Sequence, residues 1–182
     1  MPCPEIHSVL DQYRDLESRT ASLMQGVCGK LCRACTASCC RVEICREALQ
    51  SPFLRAVQGT STDFDDGLGF RGCNGCTLKA GRPPVCHAYV CHRILAGQPD
   101  DVRRYVIECL GDLVGFMGTG VWLGRHLVEM LADSDLHASN MPMFLSRMKT
   151  AAIALGLLDA ALNHDGKLNA QEMSVLSLIR KP

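Results

Sequence analysis

Ten of the twelve cysteines in this chain fall between positions 28 and 91: Cys28, Cys32, Cys35, Cys39, Cys40, Cys45, Cys73, Cys76, Cys86 and Cys91. They form two blocks. The first reads CGKLCRACTASCC, with Cys45 five residues further on; the second reads CNGCTLKAGRPPVCHAYVC and ends beside His92. A stretch rich in Gly, Ser, Thr and Asp separates them. Thiolate metal sites need sulfurs that converge on a point about 2.3 Å from each. Cysteines a few residues apart converge on one tight turn, and two such blocks brought together by folding close one or two sites.

How the cysteines are read depends on the compartment. The first residues, MPCPEIHSVLDQYRDLE, show neither a basic lead nor an apolar segment, so a signal peptide is not expected. The longest uncharged apolar run, residues 113–124, is shorter than the roughly 20 residues a spanning helix needs. A cytoplasmic chain with no membrane contact is the expectation. Nineteen basic and nineteen acidic residues cancel, which gives no electrostatic case for nucleic acid. In a reducing cytosol clustered cysteines point to metal or catalysis before disulfides, with redox exchange as the alternative. At 182 residues and 47% hydrophobic content, one or two domains with a real core are expected.

Ile6, Val9, Leu10, Tyr13, Leu16, Thr20, Leu23 and Met24 recur at three- and four-residue spacing. This predicts an amphipathic helix over residues 5–24, packed over the cysteine region and frayed or ended by Gly26 and Gly29. Cys28, Cys32, Cys35 and Cys39 follow at i, i+4, i+7 and i+11; on a helix they share a face, and in a loop they wrap a centre. Residues 42–57 read as helical with a boundary at Ser51-Pro52. Residues 58–72 read as loop, with Asp63, Asp65 and Asp66 solvated.

Arg82-Pro83-Pro84 stops any helix within the second block. His92 to Ala96 reads as a helical turn ended by Gly97. Asp100 and Asp101 open a helix expected to run over residues 102–131, central and buried, with close packing or a break near Gly118-Thr119-Gly120. GFMGTG follows no strand, so a nucleotide loop is not expected. Pro142 suits the first turn of a helix reaching about residue 162. Asn169 and Glu172 form a capping-box start for a last helix ending near Ile179. Asn163, Asp165, Gly166 and Glu172 fall at EF-hand loop positions, but Ala161 stands where the first carboxylate belongs, so a capped helical hairpin is expected. The phrase LLDAALNHDGKLNAQEMSVLSLI also resembles the helix-turn-helix of TerB-type tellurite-resistance domains.

The second block carries a further likeness. Cys76, Arg82-Pro83, Cys86, Tyr89 and Cys91 resemble the C-x5-RP-x2-C-x2-[YF]-x-C segment of the YkgJ-like cysteine-cluster family, described as zinc- or iron-chelating. The upstream Cys32-x2-Cys35-x3-Cys39-Cys40 is similar to that family's CxxCxxCC motif with one residue added, and Val90 stands where the family usually has Pro. The resemblance covers about a third of the chain. It implies metal ligands at Cys32, Cys35, Cys39, Cys40, Cys73, Cys76, Cys86 and Cys91, with Cys28 and Cys45 as additions. His87 stands where the family often has Arg and is expected to be a neighbour of the site, as is His92. Some relatives are associated with lysine methylation of flagellin, which implies a methyltransferase-like accessory role as an alternative.

Eight to ten thiolates suffice for two zinc sites, two iron-sulfur clusters of the 4Fe-4S kind, or one of each. Cys28-x3-Cys32-x2-Cys35 also matches the spacing of radical S-adenosylmethionine enzymes, whose strand barrel is not expected here. Soft thiolates along a helix suit Cu(I), so a copper-storing helical protein is another alternative. A structural-zinc interaction module is a third, with the apolar segment around Trp122 as the place a protein partner would dock if it were not core. No Ser/His/Asp set, carboxylate pair or phosphate loop is readable, and no catalytic residue is assigned. The expected fold is mostly α: an N-terminal helix and an irregular, metal-stabilised cysteine segment (residues 1–98), packed on a C-terminal helical bundle (residues 99–182). The expected function is cytosolic binding of zinc or iron through cysteine thiolates.

Overall fold

The computed structural model describes residues 4–34, 40–59, 64–72, 75–132, 134–135, 139–163 and 167–180, without the side chains of residues 4–6 and 33. The chain is mostly helical. The N-terminal apolar stripe forms α1 (Pro4–Ala34), which buries Val9, Leu10, Tyr13, Leu16 and Ala21. It does not end at Gly26 or Gly29. Each glycine costs a helix only about 1 kcal/mol, and Val27, packed against the core, carries the helix past both.

The boundary at Ser51-Pro52 separates α2 (Val42–Gln50) from α3 (Pro52–Gln58). The Ser51 hydroxyl accepts the Leu54 N–H at 3.3 Å and donates to the Val128 carbonyl at 2.8 Å. Within the loop that follows, Asp65 is occupied locally: its carboxylate accepts the Gly67 and Leu68 N–H groups. A short hairpin then forms that the sequence reading did not foresee. Strand β1 (Arg71–Gly72) pairs antiparallel with β2 (Gly75–Cys76), with Arg71 opposite Cys76 and Gly72 opposite Gly75.

Pro84 does more than stop a helix. It takes the first position of α4 (Pro84–Ala88), where a missing N–H costs nothing. Helix α5 (His92–Ala96) ends at Gly97. Asp100 caps α6 (Asp101–Gly118) by accepting the Arg103 N–H at 2.7 Å. As expected, α6 is the central buried helix, with Ile107, Leu110, Leu113, Val114 and Met117 fully enclosed. Its close contact is with α4: a Cβ on Gly111 would stand 3.0 Å from the His87 carbonyl oxygen.

Helix α6 ends at Gly118, where a break was expected, and does not continue to residue 131. The His126 ring occupies the space beside Gly118, where a Cβ would come within 2.3 Å of it. His126 Nε2 donates to the Gly115 carbonyl at 3.0 Å, and Nδ1 accepts the Val128 N–H. Burial lowers the His126 pKa, which favours that neutral ring. Trp122 therefore lies in a turn paired with Arg125, not in a helix, and it is buried. A 3-10 turn (Leu127–Glu129) follows.

Helix α7 (Met141–Asn163) is long and apolar enough to cross a bilayer by length and composition alone. Here it lies along α6 and α1, burying Phe144, Met148, Ala151, Leu155 and Leu158. Arg103 ties the start of α6 to the end of α7 by donating to the Ala161 and Leu162 carbonyls at 2.8 Å. Helix α8 (Ala170–Ile179) starts with the foreseen capping box: Asn169 accepts from Gln171 and Glu172, and Glu172 accepts the Asn169 N–H. That commits the carboxylate an EF-hand would need; His164, Asp165 and Gly166 lie outside the described residues. The core is one cluster that draws on α1, α3, α6, α7 and α8, with Tyr13, Phe53 and Phe144 meeting at its centre.

Candidate metal centre

In the cysteine region short elements take the place of long helices. Cys40 is exposed just before α2, and Cys45 is half-buried on α2. Cys76 is exposed on β2 and Cys86 is exposed on α4. The protein packed around the Cys86 thiol pushes its pKa up to about 12, and the sulfurs of Cys76, Cys45 and Cys40 each add to that rise; Arg82 pulls the other way. Three separate segments thus bring thiols into one electrostatic neighbourhood.

Gly69 fixes one side of this arrangement. It sits at φ +64, a conformation that favours glycine, and a Cβ there would stand 2.6 Å from the Cys45 sulfur. The loop before the hairpin is thereby laid directly on Cys45. Phe70 then receives the Thr77 N–H and hydroxyl, which closes the hairpin bearing Cys76.

A second anchor holds the other side. Glu17, fully buried on α1, accepts the N–H groups of Gly81 and Arg82 at 2.7 Å each and faces His87 Nε2 at 3.2 Å. His87 is 2% exposed and points inward to Glu17, on the helix that carries Cys86. The carbonyl of Gly81, at φ +76, also accepts the Gln58 side-chain N–H at 2.9 Å. Arg82 turns back to the Leu78 carbonyl through Nε and Nη2. Backbone groups of residues 78–82 are thus pinned from α1 and α3, and Pro84 launches Cys86 from that fixed point.

The other expected ligands stand differently. Cys28 and Cys32 lie on the last turns of α1, half-buried and exposed respectively. Cys91 is half-buried at the start of α5. Cys35, Cys39 and Cys73 lie outside the described residues. Cys109, which the sequence reading did not include, is buried on α6; burial raises its pKa to about 11. Among the described residues, no three His, Cys, Asp or Glu side chains already stand in metal-binding geometry. The Cys86 thiol, with its pKa raised, is neutral and would have to lose its proton to bind any ion.

Glu17 was the part that sequence reasoning missed. The signal was present: a charged residue on the stripe between Tyr13, Leu16 and Thr20, all of which are buried. A charge placed there needs a partner, and the second block supplies it.

Fold and site together describe a helical protein with one cysteine-lined irregular face. No protein-family model matches the chain, and neither curated proteins nor solved structures give a significant match.

Proposed function

We propose that this chain is a cytoplasmic metal-binding protein that holds zinc or iron through a site closed by Cys40, Cys45, Cys76 and Cys86. The observation that supports the reading is that Cys76, Cys45 and Cys40 each lie near enough to Cys86, across three segments, to raise its thiol pKa. Anchors that bind no metal support it from both sides: Gly69 packed on Cys45, and Glu17 holding the chain that leads to Cys86. The likeness of the second block to the YkgJ-like cysteine-cluster family agrees with this reading. Soft thiolates without carboxylates suit zinc or an iron-sulfur cluster and disfavour magnesium or calcium.

Metal analysis of anaerobically purified protein, with a visible spectrum, tests the proposal. A colourless protein with bound zinc indicates a closed tetrahedral site. A brown protein bleached by dithionite indicates an iron-sulfur cluster. In either case Cys76→Ser and Cys86→Ser should each lose most of the metal. Unchanged metal content in both variants removes the second block from the site and defeats the proposal.

A further inference from the structure

We infer that residues 119–130 form an acid-released strap, latched across the end of α6 by the neutral His126 ring and let go when that ring takes a proton. This device does not depend on the thiol site.

The strap turns sharply and under strain. Leu123, which is exposed, sits at φ +47, a conformation a branched side chain rarely adopts, between Gly120 at φ +74 and Gly124 at φ +78. Beneath the strap Val121, Trp122, Leu127 and Met130 are buried. Its ends are tied by neutral groups: the Asn140 N–H donates to the Val121 carbonyl, and the Ser51 hydroxyl donates to the Val128 carbonyl, both at 2.8 Å. His126 ties its middle to α6. The ring fills the space that Gly118 leaves open. Its Nδ1 accepts the Val128 N–H at 3.2 Å, which puts the ring proton on Nε2, where it is donated to the Gly115 carbonyl at 3.0 Å.

A second proton must go on Nδ1. That atom would then be a donor facing the Val128 N–H, another donor, so the bond that folds the 3-10 turn onto the ring is lost. Around the ring, α6 presents the Gly115 and Val114 carbonyls, α7 presents the Arg147 guanidinium, and the turn itself presents the Glu129 carboxylate. Burial is the largest influence and opposes the charge, as does Arg147; the carbonyls and Glu129 favour it, and the balance holds the ring below the ordinary histidine value of 6.5. A freed ring returns to that value, so the open strap takes up a proton more readily than the latched one. The latch is at full strength above about pH 6.5 and weakens as pH falls below it.

Trp122 is the chain's one tryptophan and lies under the strap, so its emission reads the latch. In the full chain, Trp122 fluorescence and acrylamide quenching are followed from about pH 7 to 5 beside far-UV circular dichroism, and the His126 ring is titrated by NMR in the same buffer. The emission should move reversibly to longer wavelength and quenching should rise. Tryptophan and ring should share one midpoint below 6.5, while the helical signal holds. A fixed emission overturns the inference. So do separate midpoints for tryptophan and ring, and so does a helical signal lost over the same range, which means global unfolding. His126→Gln offers an amide N–H in place of Nε2 and takes up no proton in this range. Its emission should be independent of pH, whether the strap is closed or open in that variant; a wild-type shift in His126→Gln also overturns the inference.

Discussion

Glu17 shows how much rests on a single buried carboxylate. It serves two backbone N–H groups and one imidazole nitrogen, all drawn from residues 81–87. Removing it strands those donors in the interior, where each unsatisfied group costs about 1–3 kcal/mol. Glu17→Ala should therefore lower unfolding free energy by about 3 kcal/mol or more in a urea titration, and should loosen metal held at Cys86. Tyr13, one turn earlier, makes the opposite case. Its ring is enclosed by Phe53 and Phe144, but its hydroxyl finds no hydrogen-bond partner. Burial, with help from the Glu17 charge, raises its pKa well above the usual tyrosine value. Tyr13→Phe should stabilise the protein by about 1 kcal/mol, read by the same titration. The sequence placed Tyr13 in the core correctly, because apolar spacing reports which face is buried. It gave no account of the hydroxyl or of Glu17, because spacing does not report what a polar group finds when it arrives there.

Helix ends were legible where a side chain caps them and illegible where packing decides. Asp100, Asn169 and the Ser51-Pro52 boundary carry their partners within three residues, so local sequence was enough. The end of α6 depends on His126, eleven residues beyond the Gly115 carbonyl it binds, and helical periodicity alone ran past it. At α1 the error had the opposite sign. Gly26 and Gly29 looked like terminators, but the helix passes through both. Gly26 has open space where a Cβ would stand. Gly26→Ala should thus raise stability by about 1 kcal/mol, through backbone entropy and helix propensity, with the fold unchanged by circular dichroism. A loss of stability there would mean that the helix is not continuous at that point. The hairpin at residues 71–76 was missed for a related reason: its strands are two residues each, too short for alternation to appear.

The single core joins α1, α3, α6, α7 and α8 without using the thiols of Cys40, Cys76 or Cys86. Metal removal should therefore act locally. Chelation under reducing conditions should leave helical circular dichroism largely intact, while amide exchange speeds up across residues 64–91. Global unfolding on chelation would instead place this chain with domains that fold only around their metal. The cysteine blocks were visible at once, but the four thiols proposed here as the site were not singled out, because the spacing of ten cysteines allows many groupings. The contacts that support the grouping, the pinning of residues 78–82 and the laying of Gly69 on Cys45, join segments far apart in the chain.

The Glu17 contact also bears on ancestry. Its carboxylate reads main-chain amides, and every residue but proline offers one. The Glu17 contact itself thus asks nothing of the side chain at position 82, while the acid cannot change. Distant kin of this chain should be recognisable by an acidic residue on the apolar stripe of the first helix, some 64 positions ahead of a glycine that precedes the Pro-Pro-x-Cys step, even where the cysteine spacing itself has shifted.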